Sequence, residues 1–453
     1  MRYIPLTDAD AKAMLETAGA GSVTELIDRQ IPERVRVRGL LPLDPPVSEM
    51  ELQRLADSIA AARPRDLISF LGAGAYDHYT PAVIEHLVVR GEFATAYTPY
   101  QPEIAQGTLM GAYEFQTYMA MLTGMDVANS SMYDAATSAA EAVLMAHRLT
   151  RKTRFLVSGA LHPHYLDTVR TFVSPLETIV LETVPVDRAT GRTDTAKLAA
   201  RIREAGDVGG VVVQSPNILG IIEDWKAVGE AAAGTGALFI AVTGEPLSLA
   251  LVEPPGRFGA DIVVGEAQGL GLPPYFGGPN VGIFCCKKEY VRQMPGRLVG
   301  ETVDQDGRRA FVLTLTTREQ FIRREKATSN ICTSQQLCAL WVTVYLSLMG
   351  RQGLKDLARQ NLSLARELRR RLLEIPGVTA AYSGPFFNEF VLRLPIPAAE
   401  FVRKAEARQL AAGIDLGALL GPAHANELHL CTTERHQKRH HDALVGFARE
   451  VIR

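Results

Sequence analysis

Residues 260–285 read ADIVVGEAQGLGLPPYFGGPNVGIFC, and this stretch decides the fold. It holds a short apolar run at 262–264, a turn rich in glycine and proline, and a second apolar run at 281–286. Short apolar runs bounded by Gly and Pro are typical of buried β-strands. We therefore predict two strands joined by a turn, an arrangement with which α/β proteins form one wall of a pocket at strand ends.

Apolar runs and helical patterns alternate on the amino-terminal side of this stretch. The predicted strands are 155–158, 178–181, 210–214, 237–242, 262–264 and 281–286, and the helices between them include 195–204 and 225–234. Continuous Val, Ile and Leu runs that alternate with helices predict a parallel or mostly parallel sheet covered on both faces. Ligands of such sheets bind at the carboxyl ends of the strands.

We predict three segments along the 453 residues. Residues 1–65 form an N-terminal helical arm, residues 66–325 a large α/β domain, and residues 326–453 a small α+β domain. A chain of this length exceeds a typical single core, which favours two associated domains. In the arm, helical patterns follow Ser22 and Ser48 as N-caps but have no core of their own. We therefore expect the arm to lie on a partner subunit.

The small domain is predicted to begin with two helices and to end in a mixed unit. The helices cover residues 333–348 and 354–373. The mixed unit has strands at 378–382, 389–394 and 427–431, and helices at 398–411 and up to residue 451. This order of elements is typical of a small α+β domain.

Five runs carry a resemblance to a known family. They are SFLGAGAYDHY at 69–79, AYTPYQ at 96–101, NSSMYD at 129–134, RQMPGRLVGETVD at 292–304 and RREKATSNICT at 323–333. With these runs, which are spread over most of the chain, the sequence resembles subunit 1, the amino-terminal subunit, of the P-protein family of the glycine cleavage system. Members of this family are also called glycine dehydrogenase (decarboxylating).

The resemblance implies an aspartate-aminotransferase-like α/β fold, the pyridoxal-phosphate fold type I, with a large mostly parallel sheet and a small C-terminal α+β domain. It implies an oxidoreductase of glycine catabolism that works as a heterotetramer with a homologous glycine dehydrogenase subunit 2. The complete enzyme decarboxylates glycine and transfers the aminomethyl group to the lipoyl group of the H-protein. Its cofactor, pyridoxal 5'-phosphate, is expected on the partner subunit.

In this fold the lysine that holds the cofactor lies between a strand end and a glycine-rich turn, within residues 260–285. At that place the sequence has Gln268, and an amide cannot condense with an aldehyde. We therefore predict a subunit with a vacant lysine position and no assigned catalytic or cofactor-binding residue, which supports its partner. Lys326 is the serious rival for the lysine, and it would make the chain an autonomous pyridoxal-phosphate enzyme. A purely structural or regulatory pseudoenzyme is the other alternative.

A cofactor of this class also needs an acid against its pyridine ring and a helix N-terminus for its phosphate. The helix predicted from Ala135 onwards begins with small and hydroxylated residues, which would let a phosphate approach its N–H groups. Packing of the helix through its alanines explains these residues equally well. No acid directly ends the strand at 237–242, and Glu245 lies too far along the chain to be assumed equivalent.

Four polar or aromatic residues outside this stretch are predicted to contribute to an interface or a pocket. Tyr97, Tyr100 and Gln101 lie in a loop around Pro99, and Asn388 interrupts an apolar run. Rigid aromatic hydroxyls on loops suit pocket edges and interfaces. In the resembled fold the tyrosine loop faces the subunit boundary. Simple packing is the alternative explanation.

Composition excludes several other classes of function. The chain has 48 Lys and Arg against 50 Asp and Glu, so neither nucleic acid nor a membrane surface is an expected partner. No apolar run reaches the about 18 residues of a membrane span, and the N-terminus lacks a signal-peptide pattern. The cysteines lack zinc-site spacing. No carboxylate or cysteine is spaced to join either histidine set, His162 with His164 or His436 with His440 and His441, so no metal is predicted. We expect a cytoplasmic protein.

Overall fold

The computed structural model divides the chain into two compact units, with the boundary between Arg65 and Asp66. It describes residues 5–37, 39–61, 67–95, 97–275, 277–315, 323–324 and 327–452. Lys326, the rival candidate for the cofactor lysine, lies outside the described residues.

The described residues of the first unit form three α-helices: α1 (Asp8–Thr17), α2 (Val23–Gln30) and α3 (Glu49–Ala61). The predicted caps are confirmed. The Ser22 side chain accepts a hydrogen bond from the backbone of Glu25 at 3.0 Å, and the Ser48 and Glu51 side chains each accept from the other's backbone N–H. None of the three helices has a buried residue. Their apolar side chains therefore form no core within this unit.

A seven-stranded sheet forms the centre of the second unit, in the order β2-β8-β7-β6-β5-β3-β4. Its strands are β2 (Val127–Ala128), β3 (Arg154–Ser158), β4 (Val180–Val184), β5 (Val208–Gln214), β6 (Leu238–Thr243), β7 (Ile262–Glu266) and β8 (Gly282–Cys286). All pairs are parallel except the two that β8 makes with β2 and β7. The predicted mostly parallel sheet is confirmed, and strands β5 to β8 are buried along their whole length.

Helices cover both faces of this sheet, as predicted. They are α4 (Ala82–Val88), α5 (Gly91–Ala94), α6 (Gln106–Thr123), α7 (Ala135–Thr150), α8 (Pro163–Val173), α9 (Thr195–Ala205) and α10 (Trp225–Ala232). One core joins the sheet to Phe115 and Val228, and the opposite core joins it to Ala139 and Val169.

Two elements next to the sheet were not predicted. Strands β9 (Leu298–Val303) and β10 (Arg309–Thr314) form an antiparallel hairpin, and β1 (Ile68–Ser69) precedes the sheet. Strand β9 is interrupted by glycine and polar residues and is half exposed, so it lacks the continuous apolar run that identifies a buried strand. Strand β10 has such a run at 310–313, which sequence reasoning missed.

A long helical segment, α11 (Gln336–Leu372), leads into the C-terminal part and breaks at Gly350, where φ is 60° and ψ is 179°. This break separates the two helices predicted there. The four-stranded antiparallel sheet that follows has the order β11-β12-β15-β14, made of Thr379–Ala380, Glu389–Arg393, Glu427–Cys431 and Ile414–Asp415 respectively. Helices α12 (Ala398–Glu406), α13 (Leu416–Leu420) and α14 (Lys438–Val451) complete this part.

The predicted helix at 398–411 was too long, because the chain turns and forms β13 (Leu410–Ala411), which pairs in parallel with β1. Phe70, which follows β1, is buried among the apolar residues of the C-terminal part. The start of the predicted 66–325 domain therefore packs against the C-terminal sheet. Among the described residues, no helix combines the length and apolar character needed to cross a membrane.

Candidate functional site at the carboxyl edge of the sheet

Four central parallel strands end at one edge of the sheet, and polar side chains follow each of them. The last residues of β3, β5, β6 and β7 are Ser158, Gln214, Thr243 and Glu266, and Glu245 and Gln268 follow β6 and β7. In open α/β sheets this edge is where ligands bind. The chain therefore keeps a polar site at the expected position.

Gln268 lies in this site with its side chain 1% exposed. Its amide oxygen accepts a hydrogen bond from the Tyr76 N–H at 2.8 Å, and its amide nitrogen donates to the Tyr76 carbonyl at 2.9 Å. The same nitrogen also donates to the Leu272 carbonyl. The amide therefore pairs with the backbone of Tyr76 as a neighbouring strand would, and both of its polar atoms are engaged.

Glu266 occupies the N-terminus of α7, the helix predicted to hold a phosphate. Its carboxyl group accepts from the backbone N–H groups of Ala135 at 3.2 Å, Gln268 at 3.1 Å and Val281 at 2.8 Å. Burial raises the pKa of Glu266 to about 8, although these three hydrogen bonds oppose the rise. Asp134 caps the same helix by accepting from the Thr137 N–H at 2.7 Å. Carboxyl groups of this chain therefore fill the position where an anion would bind.

His78 lies between two carboxylates. One ring nitrogen is 3.0 Å from Glu245 and the other is 2.8 Å from Glu434. Burial lowers the pKa of His78, but the charge of Glu245 and the hydrogen bonds to both carboxylates outweigh burial and raise it to about 10. Burial raises the pKa of Glu434, yet the hydrogen bond and charge of His78, together with hydrogen bonds from Tyr79 and Asn361, outweigh burial and lower it to about 2. The three groups form a buried ion triad in which His78 is charged at neutral pH.

Glu389, the first residue of β12, connects the C-terminal sheet to the same site. It accepts from the Ala73 N–H at 2.6 Å and from the Tyr76 hydroxyl at 3.0 Å. Burial raises the pKa of Glu389 to about 7. Asn388, one of the four predicted interface or pocket residues, is fully buried beside Glu245, to which it donates at 3.3 Å. It belongs to the buried site and not to the surface.

His162 follows β3 and closes another side of the site. Its backbone N–H donates to the Gln214 amide oxygen at 2.8 Å, and its ring donates to the Ala73 carbonyl at 3.0 Å. Burial lowers the pKa of His162 to about 4, so the ring is neutral at pH 7. Its neighbour His164 donates a backbone hydrogen bond to that ring.

The tyrosine loop lies elsewhere, on the surface. Tyr97 is 78% exposed and Tyr100 is 42% exposed, and Gln101 is also exposed, whereas Pro99 between the tyrosines is buried. The Arg297 guanidinium lies 5.9 Å from the centre of the Tyr100 ring, within cation–π range. The loop therefore packs on the protein at Pro99 and exposes a tyrosine on either side of it.

Gln106, at the start of α6, fastens this loop to the β9–β10 hairpin. Its side chain accepts from the Phe311 N–H at 2.8 Å and donates to the Phe311 carbonyl at 2.9 Å. Gln116 pairs in the same way with the Val299 backbone at 2.9 and 3.0 Å. Gln106, Gln116 and Gln268 therefore each pair with both backbone polar groups of one residue in another segment.

Two partly buried lysines lie at the opposite, amino edge of the sheet. Lys152, just before β3, donates to the carbonyls of Val208 and Gly236. Lys287, just after the antiparallel β8, pairs with Asp261. Neither lysine is placed to reach the carboxyl edge, where Gln268 lies.

Sequence reasoning missed Glu245, Glu266 and His78 as parts of the site. Glu245 was set aside for its distance from the strand end, but the chain turns there so that its carboxylate returns to the edge and accepts from the Leu247 N–H at 3.0 Å. The only signal for His78 was the run at 69–79 that carried the family resemblance. Among the described residues, no group of three or more His, Cys, Asp or Glu side chains is arranged to hold a metal ion.

Comparison with known proteins gives matches over the whole chain. The family model described as glycine cleavage system P-protein matches residues 1–446. A protein of Parvibaculum lavamentivorans, named probable glycine dehydrogenase (decarboxylating) subunit 1, is 48% identical over 100% of both chains. A crystal structure of glycine decarboxylase (P-protein) of the glycine cleavage system, in inhibitor-bound form, is 41% identical over 100% of both chains, with a TM-score of 0.86.

A more distant structural match reports on the fold alone. A sphingosine-1-phosphate lyase of Burkholderia pseudomallei is 15% identical, covers 91% of this chain and 93% of its own, and has a TM-score of 0.65. The predicted aspartate-aminotransferase-like fold type I is thereby confirmed.

Proposed function

This chain belongs to the glycine cleavage system P-protein family, and from that membership we propose that it is the subunit of glycine decarboxylase that lacks the cofactor-binding lysine. It is one subunit of a two-subunit glycine dehydrogenase (decarboxylating). The second subunit, glycine dehydrogenase subunit 2, binds pyridoxal 5'-phosphate. The complete enzyme, a heterotetramer, decarboxylates glycine and transfers the aminomethyl group to the lipoyl group of the H-protein.

One observation carries this proposal: Gln268 at the carboxyl edge of the sheet. An amide forms no Schiff base, and both polar atoms of this amide are bonded to the backbone of Tyr76 and Leu272. The carboxyl groups at the α7 N-terminus add support, because they occupy N–H groups that a phosphate would need. The residues of this edge therefore do not fit the cofactor, and we assign no chemical step to them.

The role proposed for this chain toward its partner rests on the exposed tyrosine loop. Tyr97 and Tyr100 are exposed on either side of the buried Pro99, and the Arg297 guanidinium lies beside Tyr100. An aromatic hydroxyl and a guanidinium at a subunit boundary can orient an anionic substrate and exclude water in the neighbouring active site. We propose that the loop acts in this way on glycine or the cofactor in the partner.

Glycine–CO2 exchange with lipoylated H-protein tests the proposal. This chain, subunit 2 and their mixture are assayed separately at equal concentrations. We expect exchange from the mixture and none from this chain alone. Exchange catalysed by this chain alone at the rate of the mixture would refute the proposal in favour of an autonomous enzyme. A mixture that is no more active than subunit 2 alone would leave this chain a structural or regulatory protein. The cytoplasmic location stays a prediction.

A further inference from the structure

We infer that residues 72–79, here called the plug segment, close the cleft in which this fold would carry its cofactor and take up the contacts that the cofactor would make. The inference rests on the proposed function, because it explains how a subunit without the lysine keeps a stable, closed site. It concerns the chain by itself and needs no partner.

The first contact of the plug segment is with the end of β7. The two hydrogen bonds between the Gln268 amide and the Tyr76 backbone, at 2.8 and 2.9 Å, place the segment across the lysine position. Tyr76 is 2% exposed, so its N–H has no access to water. A side chain without an acceptor at position 268 would leave this buried N–H unpaired, which is costly.

The second contact is with the C-terminal sheet. Glu389 accepts from both the Ala73 backbone and the Tyr76 hydroxyl. A Cβ added at Gly72 would lie 2.6 Å from the Cβ of Cys431 and would collide with the Glu389 carboxylate. Only glycine fits there, so at Gly72 the backbone of the segment packs directly against the first residue of β12 and the last residue of β15.

The third contact is the ion triad. His78 of the plug segment joins Glu245, which follows β6, to Glu434, which follows β15, and Asn361 of α11 also donates to Glu434 at 3.0 Å. The segment therefore binds the large sheet and the C-terminal sheet to each other, as a ligand in a cleft between them would.

The electrostatics of the closed site disfavour a phosphorylated ligand. Four carboxyl groups line it, from Glu245, Glu266, Glu389 and Glu434, and His78 is the charged base among them. His162 and His429 lie nearby with pKa values lowered to about 4 by burial, so they add no positive charge at neutral pH. At the helix N-terminus a phosphate would find the N–H groups that normally attract it already bonded to the carboxyl groups of Glu266 and Asp134.

Hydrogen–deuterium exchange on the full-length chain tests this inference directly. Peptides that cover residues 72–79 should exchange as slowly as peptides of the central strand β7, with or without excess pyridoxal 5'-phosphate. Gln268→Leu should speed exchange of the 72–79 peptides by about tenfold or more, because it removes both bonds to Tyr76. Gln116→Leu is the matched control. It removes the same kind of amide pairing from Val299 and should speed exchange in the β9–β10 hairpin while leaving residues 72–79 unchanged.

A second variant, Gln268→Lys, tests whether the closed cleft excludes the cofactor once a lysine is restored. After incubation with pyridoxal 5'-phosphate and reduction with borohydride, we expect no pyridoxyl adduct at position 268. An adduct there, fast exchange of residues 72–79 in the wild-type chain, or protection of these residues by pyridoxal 5'-phosphate would each overturn the inference. None of these results depends on subunit 2. If residues 72–79 exchange fast and the chain still supports glycine–CO2 exchange with subunit 2, the inference that this segment closes the cleft is refuted. The proposed function is then still supported.

Discussion

His78→Gln is the substitution whose effect the structure predicts most sharply. It keeps a polar side chain of similar size but removes the one positive charge between Glu245 and Glu434. Removing one partner of a buried ion pair and leaving the others uncompensated costs about 3–5 kcal/mol. With an unfolding entropy of about 2.1 cal/mol/K per residue over 453 residues, a loss of about 4 kcal/mol lowers the melting temperature by about 4 °C.

The effect of His78→Gln also depends on pH, in a predictable direction. The folded-state pKa of His78, about 10, lies above the ordinary 6.5. Its protonation therefore stabilises the fold fully below pH 6.5, and this stabilisation is lost as the pH rises toward 10. The difference between the two pKa values corresponds to as much as about 5 kcal/mol. The stability gap between wild type and variant should accordingly be largest near pH 6 and should shrink toward pH 10.

Urea unfolding followed by circular dichroism at pH 6, 8 and 10 measures this gap. His86→Gln is the control, since His86 lies on an exposed face of α4 and should change stability little at any pH. A His78→Gln chain as stable as wild type, or a gap that stays constant from pH 6 to 10, would refute the ion triad.

Three further predictions address the partner, the arm and the helix N-terminus. Tyr97→Phe and Tyr100→Phe should lower glycine–CO2 exchange of the reconstituted complex by about ten- to hundredfold without lowering its melting temperature. Full activity of both variants would mean that the rings only pack. Loss of subunit binding would make the two tyrosines interface residues without a chemical role. Deleting residues 1–60 should abolish co-elution with subunit 2 while the circular dichroism melt of the remaining chain is kept, and co-elution at full yield would contradict the predicted role of the arm. The pKa of Glu266 is raised from its ordinary 4.5 to about 8, so wild-type stability should fall as the pH rises from 4.5 to 8; this component should be missing in Glu266→Gln, and unfolding curves of equal pH dependence for the two chains would contradict it.

The parts of the fold that the sequence predicts are those with continuous burial. Strands β5 to β8 are buried along their length, so the apolar pattern of the sequence is enough to predict that they exist. The two-residue strands β1 and β13 carry no such pattern, because their pairing joins Ile68 to Leu410 across most of the chain. The boundary predicted near residue 66 could not anticipate this contact.

The sequence predicts only part of the candidate site, again because contacts between distant residues leave no local pattern. Gln268 was identified because its place follows from the strand and turn on either side. Asn388 was predicted at an interface or a pocket, and it lies in the buried site. Glu245 was set aside because its position depends on where the chain turns back, and such a turn leaves no periodic signal in the sequence. Glu266 lies at the end of a predicted strand, but its bond to Ala135 is a contact between distant residues. Such polar contacts are set by tertiary structure and not by local pattern.

The central claim is that subunit 2, and not this chain, provides the lysine that holds the cofactor. Borohydride reduction of the reconstituted complex with pyridoxal 5'-phosphate, followed by peptide mapping of both subunits, tests it most directly. We predict one pyridoxyl-lysine in subunit 2 and none in this chain, with Gln268 recovered unmodified. A stoichiometric pyridoxyl adduct on a lysine of this chain, Lys326 above all, would contradict the claim.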